Sequence, residues 1–242
     1  NDNGRPVCAI FVSKKENGDW SVPEKLDERI NMPRYTSTHP AWGIESKWNR
    51  EVLYFVSDRP EGRGGLDLWY TMYDERKGHW REPKNLGGKI NTVGDEMTPY
   101  YDMRTHTMYY SSNGMAGLGG QDIFKTSGER RKWSTPQNIG YPLNTGADEY
   151  YYTLNPSNRK EGFLVSNREG GFALTHPTCC FDIYYFIRDY TELNIDGIVY
   201  EISGRKNLPS GENIKQSLLE KAIVSVYLIS EELEDPILIS TD

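Results

Sequence analysis

The segment SDRPEGRGGLDLWY, residues 57–70, contains the residue types that most often bind an anion. It combines a cluster of glycines with Arg59 and Arg63. Phosphate-binding loops work because backbone N–H groups and a helix N-terminus face the anion. Here the residues after the glycines alternate like a strand, and no Gly-Lys-Ser/Thr ending occurs. The segment therefore predicts a hairpin loop, in which glycine permits positive φ angles, rather than a phosphate site.

Other catalytic or metal-binding patterns are not visible in the sequence. The four histidines are spread along the chain without H-x-H or H-E-x-x-H spacing, whereas zinc sites need clustered ligands. No G-x-S-x-G nucleophile elbow occurs. Carboxylates are plentiful, so a pair at glycosidase spacing would arise by chance. We therefore expect no catalytic residue, no metal site, no cofactor and no enzymatic activity. The histidines are His39, His79, His106 and His176.

The three cysteines suggest a local disulfide. Cys179 and Cys180 are adjacent, while Cys8 is far away along the chain. A disulfide needs Cα atoms within about 7 Å, so a Cys8–Cys180 bridge is not expected. Two interpretations of the adjacent pair stay open: a vicinal disulfide in an oxidising compartment, or two small thiols in a tight loop.

Composition and charge exclude several partners. The net charge of −7 argues against a nucleic-acid partner, which needs a basic face. The longest apolar run, residues 222–229, is far short of the roughly 20 residues of a membrane span. No leader pattern follows Asn1. The 12% aromatic content, with 23 Gly and 13 Pro, favours strands joined by turns.

The chain repeats itself. LYFVSDRPEGRGGLDLWY (53–70) matches MYYSSNGMAGLGGQDIFK (108–125), and GFLVSNREGG (162–171) followed by FDIYYF (181–186) matches both. A second block, W-x-x-P, follows the first two copies and also occurs near the N-terminus. The glycine-rich loop is therefore a repeated part of the fold. The marked repeat positions are Trp20, Trp80, Trp133, Asp67, Asp122 and Asp182, and Cys8 is aligned with Asp67.

Each repeat contains about four short β-type runs separated by turns. Four strands at a period near 50 residues are typical of a β-propeller blade. We expect strands at 53–57, 67–73, 108–112 and 122–126, and no helix longer than two turns in 35–187. The repeated Trp80 and Trp133 should pack between blades. The repeated aspartates should hydrogen-bond the N–H groups of the loops beside them.

The assembled pattern, LYFSSDRPGGxGGxDIW followed by GxWSxPxNLG, resembles the WD40-like (PD40) propeller repeats related to TolB. The resemblance covers about residues 1–187. Residues 1–30 match only the second half of a blade, and the copy near 150–187 has no W-x-x-P strand. Propellers close with about 4–8 blades. The repeat count therefore implies that 1–190 are the last blades of a larger propeller, whose other blades belong to the natural protein or to a partner chain.

The sequence changes character in 191–242. Gly197, Ala222 and Val224 lie in an arrangement that resembles the start of a carboxypeptidase regulatory-like domain, a prealbumin-like β-sandwich. The segment SGENIKQSLLEKA, residues 210–222, has helical spacing of its apolar residues but is expected to be an insertion loop of that sandwich. The predicted fold is therefore all-β: a partial propeller followed by the start of a sandwich.

This domain order, with HPTCCFDIYYF in the last blade, is similar to OmpA-family envelope proteins of Bacteroidota. The resemblance implies a periplasmic protein associated with the outer membrane, with secretion-system or other envelope proteins as partners. It further implies that a peptidoglycan-binding OmpA-like domain, not contained in these residues, contacts the cell wall. The expected role is a non-catalytic scaffold that links type IX secretion machinery to peptidoglycan.

A second function stays open from the residues alone. Tyrosines near the predicted inner strands could stack on sugars in a central funnel of a glycan-binding or catalytic propeller. The same rings could instead pack around the propeller axis. These residues are Tyr100, Tyr101, Tyr150, Tyr151 and Tyr152.

Overall fold

The computed structural model describes residues 6–47, 49–172 and 180–188, together with the backbone of four strands between 200 and 241. The chain divides into two compact units, Asn1–Asp189 and Tyr190–Asp242. Every regular element in the described residues is a β-strand, and all strand pairs are antiparallel. Within this part of the chain there is no helix that is long and apolar enough to cross a membrane. The all-β prediction is confirmed.

In the described residues, the first unit contains three successive sheets preceded by two short strand pairs, one nested inside the other, which we call the N-terminal hairpins. The N-terminal hairpins pair Phe11–Val12 with Glu24–Lys25 and Lys15–Glu16 with Asp19–Trp20. Sheet 1 consists of Ser37–Glu45, Arg50–Ser57, Asp67–Asp74, His79–Trp80 and Lys84–Asn85. Sheet 2 consists of Glu96–Asp102, Thr107–Ser112, Asp122–Glu129, Lys132–Trp133 and Gln137–Asn138. Sheet 3 consists of Glu149–Leu154, Glu161–Ser166 and Asp182–Ile187.

The observed strands include all four predicted runs. In each of the three sheets the first three strands are neighbours in chain order, and in sheets 1 and 2 two further short strands pair with the third. In sheet 1 the second strand is buried along nearly its whole length because both faces of the sheet are covered. This double coverage explains why LYFVS is almost continuously apolar rather than alternating.

The sheets stack face to face in chain order. We call the face of a sheet that packs on the next sheet along the chain its forward face, and the opposite face its back face. On the forward face of sheet 1, Tyr54, Leu68 and Tyr70 pack on Phe124 and Trp133 from the back face of sheet 2. The first strands of the three sheets also contact one another in order. The interfaces between sheets, rather than one central layer, therefore form the core.

The forward face of sheet 2 and the back face of sheet 1 are also covered by a neighbouring element. Tyr109 and Ile123 pack on Leu164 from the back face of sheet 3. On the other side, Ile10 from the N-terminal hairpins packs on Phe55 of sheet 1. The N-terminal hairpins thus occupy the place that a preceding sheet would take.

The first strand of each of the three sheets contains a β-bulge at the same position. The pairing of the first with the second strand shifts register after Thr38, Met97 and Tyr150. In each bulge one residue has a positive φ: His39 at 45°, Thr98 at 48° and Tyr151 at 51°. A β-bulge re-aims side chains and bends a strand. The repeated bulges bring His39 and Tyr151 together, with ring centroids 5.4 Å apart.

The described strands of the second unit form two hairpins. Tyr200–Ser203 pairs with Lys215–Leu218, and Ser225–Leu228 pairs with Ile237–Thr241. The prediction that 210–222 forms a loop is wrong for 215–218. Those residues find a partner strand earlier in the unit, and strand formation depends on such non-local pairing more than on local apolar spacing. The sandwich itself stays a prediction.

Candidate functional site

The glycine-rich loops join the second and third strands of each sheet and close over an aspartate at the start of the third strand. Asp122 Oδ2 accepts hydrogen bonds from the N–H groups of Leu118 (2.8 Å) and Gly119 (3.0 Å). Asp67 accepts from Arg63 N–H in the same way. Both aspartates are fully buried. Their carboxylates therefore satisfy the loop backbone from inside the loop.

Asp182 occupies the equivalent place in sheet 3 and accepts a hydrogen bond from Phe172 N–H at 2.6 Å. In sheet 1 the Asn85 amide donates a second hydrogen bond to Asp67, at 2.9 Å. The three carboxylates thus perform the same task in three successive loops. In the described part of the chain, the main surface cavities are lined by other residues than these three aspartates.

The loop glycines are needed for close approach, not for positive φ. A Cβ at Gly117 would lie 1.9 Å from Asp122 Oδ2, and one at Gly62 would lie 2.6 Å from Asp67 Oδ2. No glycine in 58–66 or 113–121 has a positive φ; in the first loop that role falls to Glu61, at 69°. The prediction of positive-φ glycines is therefore wrong for these two loops, whereas in the third loop Gly170 has a φ of 92°. The loop closes tightly on its aspartate, which leaves no room for a side chain.

In each of the first two loops, a second aspartate is contributed by the residue that precedes the next sheet. Asp95 Oδ1 accepts a hydrogen bond from Leu66 N–H at 2.7 Å, and Asp148 Oδ1 accepts one from Gln121 N–H at 2.8 Å. A Cβ at Gly65 would lie 2.2 Å from the Asp95 carboxylate. Each loop is therefore fixed from two sheets at once.

The glutamate after each of these aspartates is buried and serves a turn. Glu96 accepts hydrogen bonds from Thr92 N–H at 2.9 Å and from Ser112 Oγ at 2.8 Å. Burial raises the pKa of Glu96, and these hydrogen bonds act against that rise. Glu149 repeats the arrangement with Thr145 and receives Arg168 at 3.2 Å. These carboxylates have the burial of catalytic acids, but their oxygens are occupied by the protein.

An asparagine completes the repeat. The Asn91 side chain accepts from Leu68 N–H and donates to Leu68 C=O, each at 2.9 Å, as a neighbouring strand would. Asn144 does the same for Ile123, and Asn31 does the same for Ile10. The sequence contains a repeat that marks two of these asparagines: N-T-V-G-D-E begins at Asn91, and the similar N-T-G-A-D-E begins at Asn144. The repeat itself does not show that an asparagine side chain pairs with the backbone of a strand.

This geometry also corrects the alignment of Cys8. Cys8 C=O accepts from Ser37 N–H as Leu66 C=O accepts from Glu96 N–H, so Cys8 corresponds to Leu66 and Ala9 to Asp67. The loop that precedes Asp67 has no counterpart among residues 6–8, so the sequence offered no anchor for the alignment. Cys8 is a free, exposed thiol, and Cys180 is disulfide-bonded. The predicted vicinal bridge with Cys179 stays a prediction, because Cys179 lies outside the described residues.

The repeated tryptophans have three different environments. Trp133 is buried between sheets 1 and 2, with its ring centroid 6.0 Å from that of Tyr54. Trp80 is partly buried beside the core between sheet 1 and the N-terminal hairpins, and it meets Trp42 edge to face. Trp20 is exposed. The environment of each ring follows from whether a preceding sheet covers its back face.

The five tyrosines considered for sugar binding are not grouped on one surface. Tyr101 is buried beside Trp133, and burial and the nearby Glu129 raise its pKa. Tyr152 is buried in a stack with Tyr109, at 4.5 Å. Both rings are therefore core residues of the sheet interfaces.

The remaining three tyrosines are more accessible. Tyr100 and Tyr150 are half-buried, and burial together with Asp148 and Asp95 raises the pKa of Tyr150 to about 12. Tyr151 is exposed beside His39, whose pKa is lowered by burial. Only Tyr151 presents a largely open ring.

At the ends of the strands opposite the glycine-rich loops, ion pairs connect neighbouring sheets. Asp102 of sheet 2 is paired with Arg159 of sheet 3 through Oδ1 at 2.8 Å and through Oδ2. Arg130 of sheet 2 lies 3.1 Å from Glu45 of sheet 1. In the described residues no group of three His, Cys, Asp or Glu side chains is placed to hold a metal ion. The charged residues at both ends of the sheets connect one sheet to the next.

Comparison with known proteins identifies no family. No protein-family model matches the chain, and no curated protein matches it. Among solved structures, an α-L-arabinanase of Penicillium chrysogenum, determined in complex with arabinobiose, shows a weak likeness. The TM-score is 0.42 and the identity 13%, over 74% of this chain and 54% of the arabinanase. The chain thus spans about half the length of that protein, and a likeness this weak does not indicate an activity.

Proposed function

We propose that this chain is a non-catalytic scaffold of the bacterial cell envelope, built as the last blades of a β-propeller whose loops contact other proteins. The stacking supports the propeller: successive antiparallel sheets pack forward face on back face, with their first strands adjacent. The resemblance of the repeats to PD40 sequences supports the placement in the envelope. Fold alone does not determine function.

One observation carries the non-catalytic assignment. The recurring carboxylates, which are the residues best suited to acid–base chemistry, accept hydrogen bonds from the chain's own loops and turns. Asp67 and Asp122 fix the glycine-rich loops, and Glu96 and Glu149 fix the turns before the first strands. A general acid or base must reach a substrate. Here that capacity is used to hold the loops in place.

The loops held in this way are the proposed contact surface. Rigidly positioned loops commonly carry recognition. In the 113–121 loop, Leu118 is exposed although its N–H group is fixed by Asp122. In this proposal the partners are secretion-system or other outer-membrane proteins of the periplasm. Contact with peptidoglycan belongs to an OmpA-like domain outside these residues.

The proposal is tested by two pull-downs, one with purified peptidoglycan and one with detergent-solubilised envelope proteins. We expect no retention on peptidoglycan, since the net charge of −7 provides no cationic surface for the wall. We expect envelope proteins to be retained, and Leu118→Ser to lose them. Met103→Ser is the matched control, because Met103 is equally exposed at the opposite end of sheet 2. Salt-resistant binding to peptidoglycan would contradict the assignment of the wall contact.

A second function, glycan binding, is favoured by a single feature. The exposed Tyr151 ring lies edge to face with His39, at the bulges where the first strands meet. An open aromatic ring can stack on a sugar. Calorimetric titration with glycans tests this function. Saturable binding that is lost in Tyr151→Ala but kept in Phe172→Ala, another exposed aromatic, would overturn the scaffold proposal.

A further inference from the structure

The forward face of sheet 3 is apolar and exposed. Phe163 is 45% exposed, and the alternate residues of the third strand, Ile183, Tyr185 and Ile187, are 76%, 52% and 63% exposed. The residues between them are less exposed and face the interface with sheet 2. A contiguous patch of this kind marks an interaction site more often than single exposed apolar residues do.

The equivalent positions in the other two sheets are buried. Phe163 corresponds to Tyr54 of sheet 1 and Tyr109 of sheet 2, because Ser57, Ser112 and Ser166 pair with the first residue of each third strand. Tyr54 and Tyr109 are both buried by the next sheet.

The third strands show the same relation. Ile183 corresponds to Leu68 and Ile123, which are completely buried. The face of sheet 3 therefore has the composition of an interface that is formed twice elsewhere in the chain.

The N-terminal hairpins expose the other half of this interface. Trp20 pairs with Lys15 as Trp133 pairs with Gly128, so Trp20 occupies the place of Trp133. Phe11 occupies the place of Phe124. Trp133 and Phe124 are buried against the forward face of sheet 1. Trp20 and Phe11 are 69% and 56% exposed.

We propose that the forward face of sheet 3 binds the N-terminal hairpins of a second copy of this chain. Trp20 and Phe11 of one copy would then pack on Phe163, Ile183 and Tyr185 of the other, as Trp133 and Phe124 pack on sheet 1. The two surfaces differ, so the contact is head to tail and leads to rings or longer assemblies rather than a two-fold dimer. This inference goes beyond the proposed function: the second copy would supply the neighbouring blades that the proposed propeller needs in addition to these residues.

Analytical ultracentrifugation of the full chain tests this contact. At about 100 µM, where a micromolar interface is largely occupied, the wild-type protein should sediment as oligomers. Ile183→Lys, which disables the sheet 3 face, and Trp20→Lys, which disables the hairpin face, should each be monomeric. Val93→Lys, at an exposed loop residue away from both faces, should associate like the wild type. Unchanged circular dichroism would show that the variants fold.

Mixing the two monomeric variants provides the sharper test. The Trp20→Lys protein keeps an intact sheet 3 face, and the Ile183→Lys protein keeps intact hairpins. A head-to-tail contact therefore predicts that the mixture forms dimers and nothing larger. A monomeric wild-type protein, or a mixture that stays monomeric while the wild type associates, would overturn the proposal. In the first case the face would be covered by something other than a second copy.

Discussion

Two interfaces can be compared, one between sheets 1 and 2 and one between sheets 2 and 3. They are connected by different residues at the same repeat position. Two positions after the repeated serine, sheet 2 has Gly114 and sheet 3 has Arg168. Arg168 donates hydrogen bonds to the carbonyl groups of Pro142 and Leu143 in the turn before sheet 3. Gly114 instead approaches its turn so closely that a Cβ would lie 1.7 Å from Thr92 Oγ1.

The N-terminal side of sheet 1 resembles sheet 3, because it also has an arginine at this repeat position. Arg59 donates to the carbonyl groups of Arg29 and Ile30, and its guanidinium lies over the rings of Phe55 and Trp69. The difference shows that this repeat position connects neighbouring sheets, either through a cation or through direct backbone contact. An arginine in a glycine-rich loop, which resembled an anion site in the sequence, can therefore be a structural residue.

The largest expected effect concerns the buried tryptophan between sheets 1 and 2. Trp133→Ala should lower the free energy of unfolding by about 3–5 kcal/mol, because a large ring leaves a cavity. At protein concentrations too low for copies to associate, Trp20→Ala, at the exposed equivalent, should change it by no more than about 0.5 kcal/mol. Urea denaturation of both variants measures the difference. Equal effects would mean that the two rings have similar environments.

Gly114→Ala tests the close contact in the same interface. The added methyl group meets Thr92, so we expect a loss of about 1–3 kcal/mol from overpacking. Gly146→Ala is the control, since a Cβ there has no heavy atom within 4 Å. Thermal melts should separate the two variants clearly. A tolerated alanine at 114 would show that the turn can move away without cost.

Arg168→Met tests whether the arginine side chain connects sheet 3 to the turn that precedes it. The variant keeps most of the apolar stem but removes the donors to the two turn carbonyl groups and to buried Glu149, so we expect a loss of about 1–3 kcal/mol. Arg131→Met, at an exposed residue of sheet 2, should be neutral. If the two variants unfold at the same urea concentration, Arg168 does not hold the sheets together.

The smallest expected effect depends on pH. Burial acts to raise the pKa of Asp102, but hydrogen bonds from Arg159 and Thr105 outweigh burial and lower it. A lowered folded-state pKa gives stability that is present above the unfolded value, near about 4, and is lost as the pH falls through the folded value. Asp102→Asn should therefore destabilise the protein at pH 7 and much less at about pH 3. Thermal melts of the wild type and of this variant at both pH values measure this change.

The strands of sheets 1 and 2 were predictable because their apolar runs and turns recur with a fixed spacing. Residues 53–57 and 122–126, for example, lie within observed strands. The role of the glycines was not predictable, because a close approach between Gly117 and Asp122 depends on three-dimensional packing rather than local preference. The strand Lys215–Leu218 was missed for a similar reason, since its partner strand is distant in the sequence.

The position of the carboxylates was predictable only in part. The repeated aspartates at 67, 122 and 182 pointed to a loop function, and the loops do bond to them. The second set, Asp95 and Asp148, reaches the loop of the preceding sheet. That contact requires knowledge of which sheets are neighbours, which the repeat pattern alone does not provide.

The central claim is that the recurring carboxylates hold loops rather than perform chemistry, and Asp122→Ala tests it most directly. Removing this carboxylate leaves the N–H groups of Leu118 and Gly119 without their partner. Urea denaturation should show a loss of about 1–3 kcal/mol, seen as a lower midpoint with an unchanged slope. An unchanged midpoint, together with the loss of a ligand or an activity, would show that Asp122 serves a site and would contradict the account.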